Sequence, residues 1–297
     1  MSTRSVFVFV EGALDRYFIG RVCQAYLGSV DYELAYAAEI PGQIGSGKGA
    51  LLVLYKFLRD RGCLRDDFQG KRTYVLFFLD KDVDDFLRSR ARSTHVVYTS
   101  FYELENHMFA AGDLIGALAS AAQIDPRAAL QVLGGDPVGW RRRAAETWQA
   151  WVVLCLCTRM LGIRGPASFS RNSQVNNGCY GALDPALEAG ELAALQAAAR
   201  GVSAARFDAV LTRAAAIVRL RYRVLAHDTI FKGKWYAGFV RHALTTALPG
   251  TPKARLNGLE DRLLSLLAYS TPIDAEWTTR YRDALLEALA WCRGAAA

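Results

Sequence analysis

From Ser5 to about residue 110, short apolar runs of strand type alternate with amphipathic stretches of helical type. Few folds accept that alternation. Strands separated by helices must run parallel, and their helices cover the faces of the sheet. "SVFVFVEG" reads as the first strand and "ALDRYFIGRVCQAYLG" as the helix that follows, stopping at Gly28. "YELAYAAEI" is the second strand and "ALLVLYKFLRDRG" an amphipathic helix closed by Gly62. "KRTYVLFFLDKDVDDF" opens with a third, strongly apolar strand that breaks off at Asp80, and "THVVYT" is a fourth. "YELENHMFAAGDLIGALASAA" then has a helical pattern.

Beyond residue 110 alanine and leucine dominate and no convincing strand is found. Helices are expected at 126–133, 140–161, 188–199, 204–226, 256–267 and 275–293. Between them lies the polar loop "GPASFSRNSQVNNGCYG". The expected organisation is an α/β domain over residues 1–110, a parallel sheet flanked by helices, then a basic, largely helical region over 111–297. Charge follows the same division. The chain holds 36 Lys/Arg and 29 Asp/Glu; residues 1–110 hold 14 of each, which leaves 22 and 15 for the rest. A neutral half followed by a basic half fits a catalytic unit beside a region that meets a polyanion, and fits a solvated basic surface equally well. No run of eighteen apolar residues is present, and Glu11 ends the first apolar run too early for a signal peptide. The six cysteines form no C-x-x-C pair. A cytoplasmic protein with reduced thiols is expected, with no membrane association.

"PGQIGSGKGALL" has the spacing of a nucleotide-binding P-loop at Gly42, Gly47 and Lys48, but the next residue is Gly49. The hydroxyl that would ligate magnesium is missing, and Pro41 separates the loop from the strand before it. We read the stretch as a tight turn into a helix that begins near Lys48, not as an ATP site.

The chemistry concentrates in "LDKDVDD", four carboxylates in six residues with only Lys81 among them. The preceding strand delivers Asp80 and Asp82 to the carboxyl edge of the sheet, where open α/β folds bind ligands. Hard oxygen ligands of this kind suit Mg2+ or Mn2+. Asp84 and Asp85 read as outer or solvated acids of a helix start. Glu11 closes the first strand, and parallel neighbouring strands would bring it to face Asp80 and Asp82.

"EGALD" (Glu11 to Asp15) and "DKD" (Asp80 to Asp82) together resemble the two motifs of TOPRIM-domain nucleases. "YELEN" (Tyr102 to Asn106), "FKGKWYAGF" (Phe231 to Phe239) and "GSGKGALLVLYKFL" resemble a bacterial, OLD-like subgroup that includes the TOPRIM effectors of PARIS-type anti-phage systems. The resemblance implies Glu11, Asp80 and Asp82 as metal ligands, with Glu11 alternatively a general base. It implies Glu105 at a second metal position and Lys234 as stabiliser of charge on the phosphate, with Lys232 as the other candidate. It further implies Mg2+ or Mn2+ as cofactor, nucleic acid as substrate with tRNA favoured over DNA, a separate ABC-type ATPase that restrains the chain, and a possible homodimer when active. Nucleic-acid contacts are expected from Lys48, Arg171, Arg219, Arg223 and Lys232, with Arg141, Arg142, Arg143, Asn172 and Gln174 as further candidates. Tyr222 is a candidate for base stacking. Trp140, Trp148 and Trp151 read as core, and His227 and His242 have no ligand pattern. An OLD-type DNA nuclease and a non-catalytic metal-binding module are the competing readings.

Overall fold

The computed structural model describes residues 5–28, 30–40, 45, 47–165, 167–170 and 180–294. The first elements are β1 (Val6–Val10), α1 (Ala13–Leu27), β2 (Tyr32–Tyr36), α2 (Gly47–Asp60), β3 (Arg65–Phe68), β4 (Lys71–Leu79), α3 (Asp84–Leu87) and β5 (Val96–Tyr98). Helices follow: α4 (Leu104–Ala111), α5 (Leu114–Ala122), α6 (Pro126–Val132), α7 (Pro137–Thr147), α8 (Gln149–Leu161), α9 (Pro185–Ala198) and α10 (Ala204–Arg223). The last are α11 (Lys234–Ala247), α12 (Lys253–Leu256), α13 (Leu259–Ser270) and α14 (Thr279–Arg293). The expected α/β class, a sheet flanked by helices and followed by a helical region, is observed.

The chain forms two compact units that interleave in sequence. The first comprises Met1–Lys81, Ser89–Ser100 and Thr271–Ala297; the second comprises Asp82–Arg88 and Phe101–Ser270. The expected boundary at residue 110 falls inside α4, within the second unit.

In the first unit β1 is central, parallel to β2 (Val8↔Leu34) and to β4 (Val8↔Leu76). The far edge of β4 is shared. Its first half pairs with antiparallel β3, and its end (Phe77–Leu79) pairs with parallel β5. Side chains alternate across the sheet. Val75, Phe77 and Leu79 face a core made with Leu51 and Tyr55 of α2, and Phe7 and Phe9 of β1 pack against it. On β4 the alternate residue Phe78 meets Tyr281 of α14 edge-on at 5.2 Å, and Phe18 of α1 stacks on Trp277 at 5.4 Å. Trp291 of α14 donates its indole N–H to the Thr73 carbonyl at 3.0 Å. Phe77, fully buried, lies 5.3 Å from Phe9 and 5.7 Å from Tyr55 between ring centroids. Phe77→Ala is expected to cost about 3–5 kcal/mol in chemical denaturation, because so packed a site cannot close over the void.

Several elements depart from expectation for identifiable reasons. β3 carries "RDDF", wholly exposed and without apolar alternation, so no strand pattern marks it. Its turn does: Gln69 (φ 53°) and Gly70 (φ 77°) form a two-residue hairpin loop with both central residues left-handed. The helix expected over 140–161 breaks at Trp148 into α7 and α8. There the indole is fully buried and donates to the Gly181 carbonyl at 3.0 Å. The helix expected over 102–122 divides at Gly112, and Asp113 caps α5 by accepting the Gly116 N–H at 2.9 Å. No helix was expected over 234–247, where α11 buries Trp235, Tyr236, Phe239 and Val240. Trp140, Trp148 and Trp151 are buried, as expected of core residues. Among the described residues, no helix is long and apolar enough to cross a membrane.

Candidate functional site

In the first unit, the register of β1 and β4 (Val10↔Phe78) carries Glu11 and Asp80 out of the sheet at one edge. Oε1 of Glu11 accepts the Asp80 main-chain N–H at 2.8 Å, so the two residues lie side by side at the ends of their strands. Asp80 is buried. Lys48, at the start of α2, donates its ammonium to the carbonyls of Asp80 (2.7 Å) and Lys81 (3.3 Å) and lies 5.6 Å from the centre of the Tyr98 ring. It was expected to meet nucleic acid; in the structure it fastens the end of β4. The Lys81 main-chain N–H is taken by Thr99 Oγ1 at 2.8 Å, and its ammonium by the Ser100 carbonyl. Most of the glycine-rich turn before α2 lies outside the described residues.

In the second unit, Asp82 is half-buried with φ 50°, and its N–H is donated to the Tyr102 carbonyl at 2.7 Å. A left-handed residue is tolerated best by glycine, asparagine and aspartate. Asp84 is buried and faces Arg159 at 3.8 Å, which corrects its reading as a solvated acid; Asp85 is exposed.

The start of α4 gathers more. Glu103 is its N-cap residue, extended at φ −143°, and donates its N–H to Asn106 Oδ1 at 3.1 Å. Glu103, Glu105 and Asn106 are all buried. The Lys232-Gly233-Lys234 segment closes on them from the start of α11. Lys234 donates its main-chain N–H to Glu103 Oε1 at 2.6 Å, and its ammonium stands 3.3 Å from Glu105 Oε1. The remaining Glu105 oxygen, Oε2, is buried without a hydrogen-bond partner. Gly233 makes the approach possible. A Cβ there would lie 2.4 Å from the Asn106 nitrogen, closer than any side chain permits. Lys232 donates instead to the Phe169 carbonyl at 3.2 Å.

Burial, then the charge of Glu105, pushes the Glu103 carboxyl up to about 8, against the pull of Lys234 and Lys232. A carboxyl raised in the folded state binds a proton that the unfolded chain has released. That contribution is complete below the ordinary carboxylate range and disappears as pH rises through about 8. Metal-free protein is therefore expected to lose stability between pH 5 and pH 8 in thermal melts, and Glu103→Gln to flatten that slope.

Within the second unit, the buried carboxylates of Glu103 and Glu105 could bind a metal ion. Glu103 belongs to the quoted "YELEN" but had been assigned no role. Its signal is the acid-x-acid-Asn order, which makes a helix start whose carboxylates are held rather than solvated.

The expected nucleic-acid contacts fare unevenly. Arg219 and Arg223 are exposed on α10. Tyr222 is buried and donates its hydroxyl to the Ala145 carbonyl at 3.1 Å, so it offers no stacking face. Arg141 is turned inward to Asp228 at 3.2 Å, Arg142 pairs with Glu146 at 2.7 Å and Arg143 with Asp136 at 3.7 Å. Arg171, Asn172 and Gln174 lie outside the described residues. Compared with protein-family models and with curated proteins, the chain matches none.

Proposed function

We propose that the chain is a metal-dependent nuclease that cleaves phosphodiester bonds in nucleic acid, tRNA in preference to DNA. In this reading it is the toxic effector of an anti-phage, abortive-infection system, held inactive in the cytoplasm by a separate ABC-type ATPase. The observation that carries the catalytic part is the Glu103–Glu105 pair. Two carboxylates are withdrawn from water, one oxygen has no partner, and a lysine ammonium stands beside the other. Such an arrangement costs folding energy unless a cation relieves it, and all-oxygen donors suit Mg2+ or Mn2+. The orphaned Oε2 of Glu105 fits that role directly. The biological setting and the preference for tRNA rest on the resemblance of "EGALD", "DKD", "YELEN" and "FKGKWYAGF" to TOPRIM effectors.

Glu103 and Glu105 are the proposed ligands in the second unit, and Glu11, Asp80 and Asp82 are the remaining candidates that the sequence offers. A bound divalent ion supplies a more acidic nucleophilic water and neutralises charge on the scissile phosphate. Lys234 contributes from the chain itself. Its side chain is 53% exposed while its partner Glu105 is 2% exposed, so a partly exposed ammonium is anchored on a buried carboxylate, where it adds positive charge at the site. Arg219 and Arg223 offer exposed cations to a polyanion.

Induced expression in a bacterium of the wild-type chain, beside Glu11→Ala and Asp80→Ala, tests the proposal. Growth arrest with tRNA fragments in the wild type alone is the expected result. Three strains that grow alike with intact nucleic acid would contradict it.

A further inference from the structure

The Lys232-Gly233-Lys234 segment meets α4 through the Lys234 amide and ammonium, and a further connection holds the residues on either side of it there. Asp228, 4% exposed in a short 3-10 turn (His227–Thr229), makes that connection. Its main-chain carbonyl accepts the Tyr102 N–H at 2.8 Å, next to Glu103. Its Oδ1 accepts two hydrogen bonds, from Asn106 Nδ2 at 3.1 Å and from the Tyr236 hydroxyl at 2.8 Å. Its Oδ2 faces Arg141 Nε at 3.2 Å and His227 Nε2 at 3.7 Å. Asn106 in turn donates to the Phe231 carbonyl at 3.0 Å. Asp228 thus ties the residues that flank Glu103 and Glu105, Tyr102 through its carbonyl and Asn106 through its carboxylate, to Tyr236 beside Lys234.

We infer that Asp228 is the positioning residue that sets Lys234 against the Glu103–Glu105 pair, through Tyr102 and Asn106 on one side and Tyr236 on the other. The inference deepens the nuclease reading and rests on it for the role of Lys234. The charge is needed as well as the shape. Asparagine at this position would have to aim its NH2 either at Arg141 or at two other donors, so an isosteric replacement still breaks one side of the connection.

Amide hydrogen exchange on the full-length, metal-free chain reads the geometry without any activity. In the wild type the Lys234 amide, bonded to Glu103, exchanges slowly. Asp228→Asn is expected to speed exchange at residues 232–236 by on the order of tenfold, with β1 and β4 unchanged. Tyr236→Phe keeps the Asp228–Arg141 pair and the ring, so it serves if Asp228→Asn does not fold; roughly threefold faster exchange is expected there. In cleavage assays Asp228→Asn is expected to lower kcat about tenfold with KM little changed, and to cost nothing further in a Lys234→Ala background. Unchanged exchange at 232–236 in the variants would overturn the inference. So would the same loss of kcat with and without Lys234. If the wild type cleaves neither RNA nor DNA, the nuclease reading falls, and exchange alone still decides whether Asp228 holds Lys234 in place.

Discussion

Glu105→Gln is expected to remove divalent-metal binding while leaving the metal-free fold at least as stable as the wild type. Glu105 is 1% exposed, with Oε1 beside the Lys234 ammonium and Oε2 without a partner. Its negative charge also raises the neighbouring Glu103 carboxyl. Neutralising it removes a buried anion and a repulsion. Lys234 loses a partner, but its side chain is 53% exposed and finds water. The metal-free variant is therefore expected to match the wild type or gain about 1 kcal/mol in chemical denaturation. Metal affinity moves the other way. Loss of groups that merely orient a ligand costs about 10–100-fold, so loss of a ligand itself is expected to cost at least about 100-fold. In the wild type, Mn2+ at about 100 times its Kd is expected to stabilise the fold by about 2.7 kcal/mol, and Glu105→Gln to abolish that increment. Thermal melts with and without Mn2+ measure both effects. A variant that is strongly destabilised without metal, or that retains the Mn2+ shift, would speak against Glu105 as a ligand.

The second large effect is expected from the smallest substitution. Gly233→Ala places a methyl 2.4 Å from the Asn106 nitrogen and 2.9 Å from the Glu105 carbonyl carbon. Both are backbone atoms that cannot rotate away. The φ of Gly233, −63°, suits alanine, so the penalty comes from the close approach and not from the backbone angle. Overpacking of this kind costs about 1–3 kcal/mol. The relief available is for α11 to draw back, which separates the Lys234 amide from Glu103 and its ammonium from Glu105. Displacement of a reacting or stabilising group by about 1 Å reduces turnover about 100-fold, which is the loss expected here. Denaturant titration and cleavage kinetics on the same preparation check the two effects together.

The sheet was legible because its strands announce themselves. "VFVFV" is buried on one face and half-buried on the other, "TYVLFFL" is buried on both from Tyr74 onward, and such runs have few other places to go. Their parallel pairing put Glu11 next to Asp80, a relation that follows from strand order alone. The exposed strand β3 was not legible, since "RDDF" carries no apolar pattern and only the left-handed Gln69-Gly70 turn records it. The α4 site was half legible. Glu105 and Lys234 stood out through the resemblance, but their contact depends on Gly233 lying against Asn106, 127 positions away, and spacing in the sequence does not encode that. Asp228 carries no motif at all. Its importance lies in four partners drawn from three separated stretches of chain. Lys48 shows the opposite failure, since a residue at a P-loop-like spacing turns out to hold two backbone carbonyls.

Incubation of the purified chain with tRNA and with supercoiled plasmid, in Mg2+, in Mn2+ and in EDTA, tests the central claim most directly when run beside Glu105→Gln. The account predicts tRNA fragments that require the metal and disappear in the variant. Intact tRNA and plasmid under every condition, or cleavage that survives EDTA or the loss of Glu105, would contradict it.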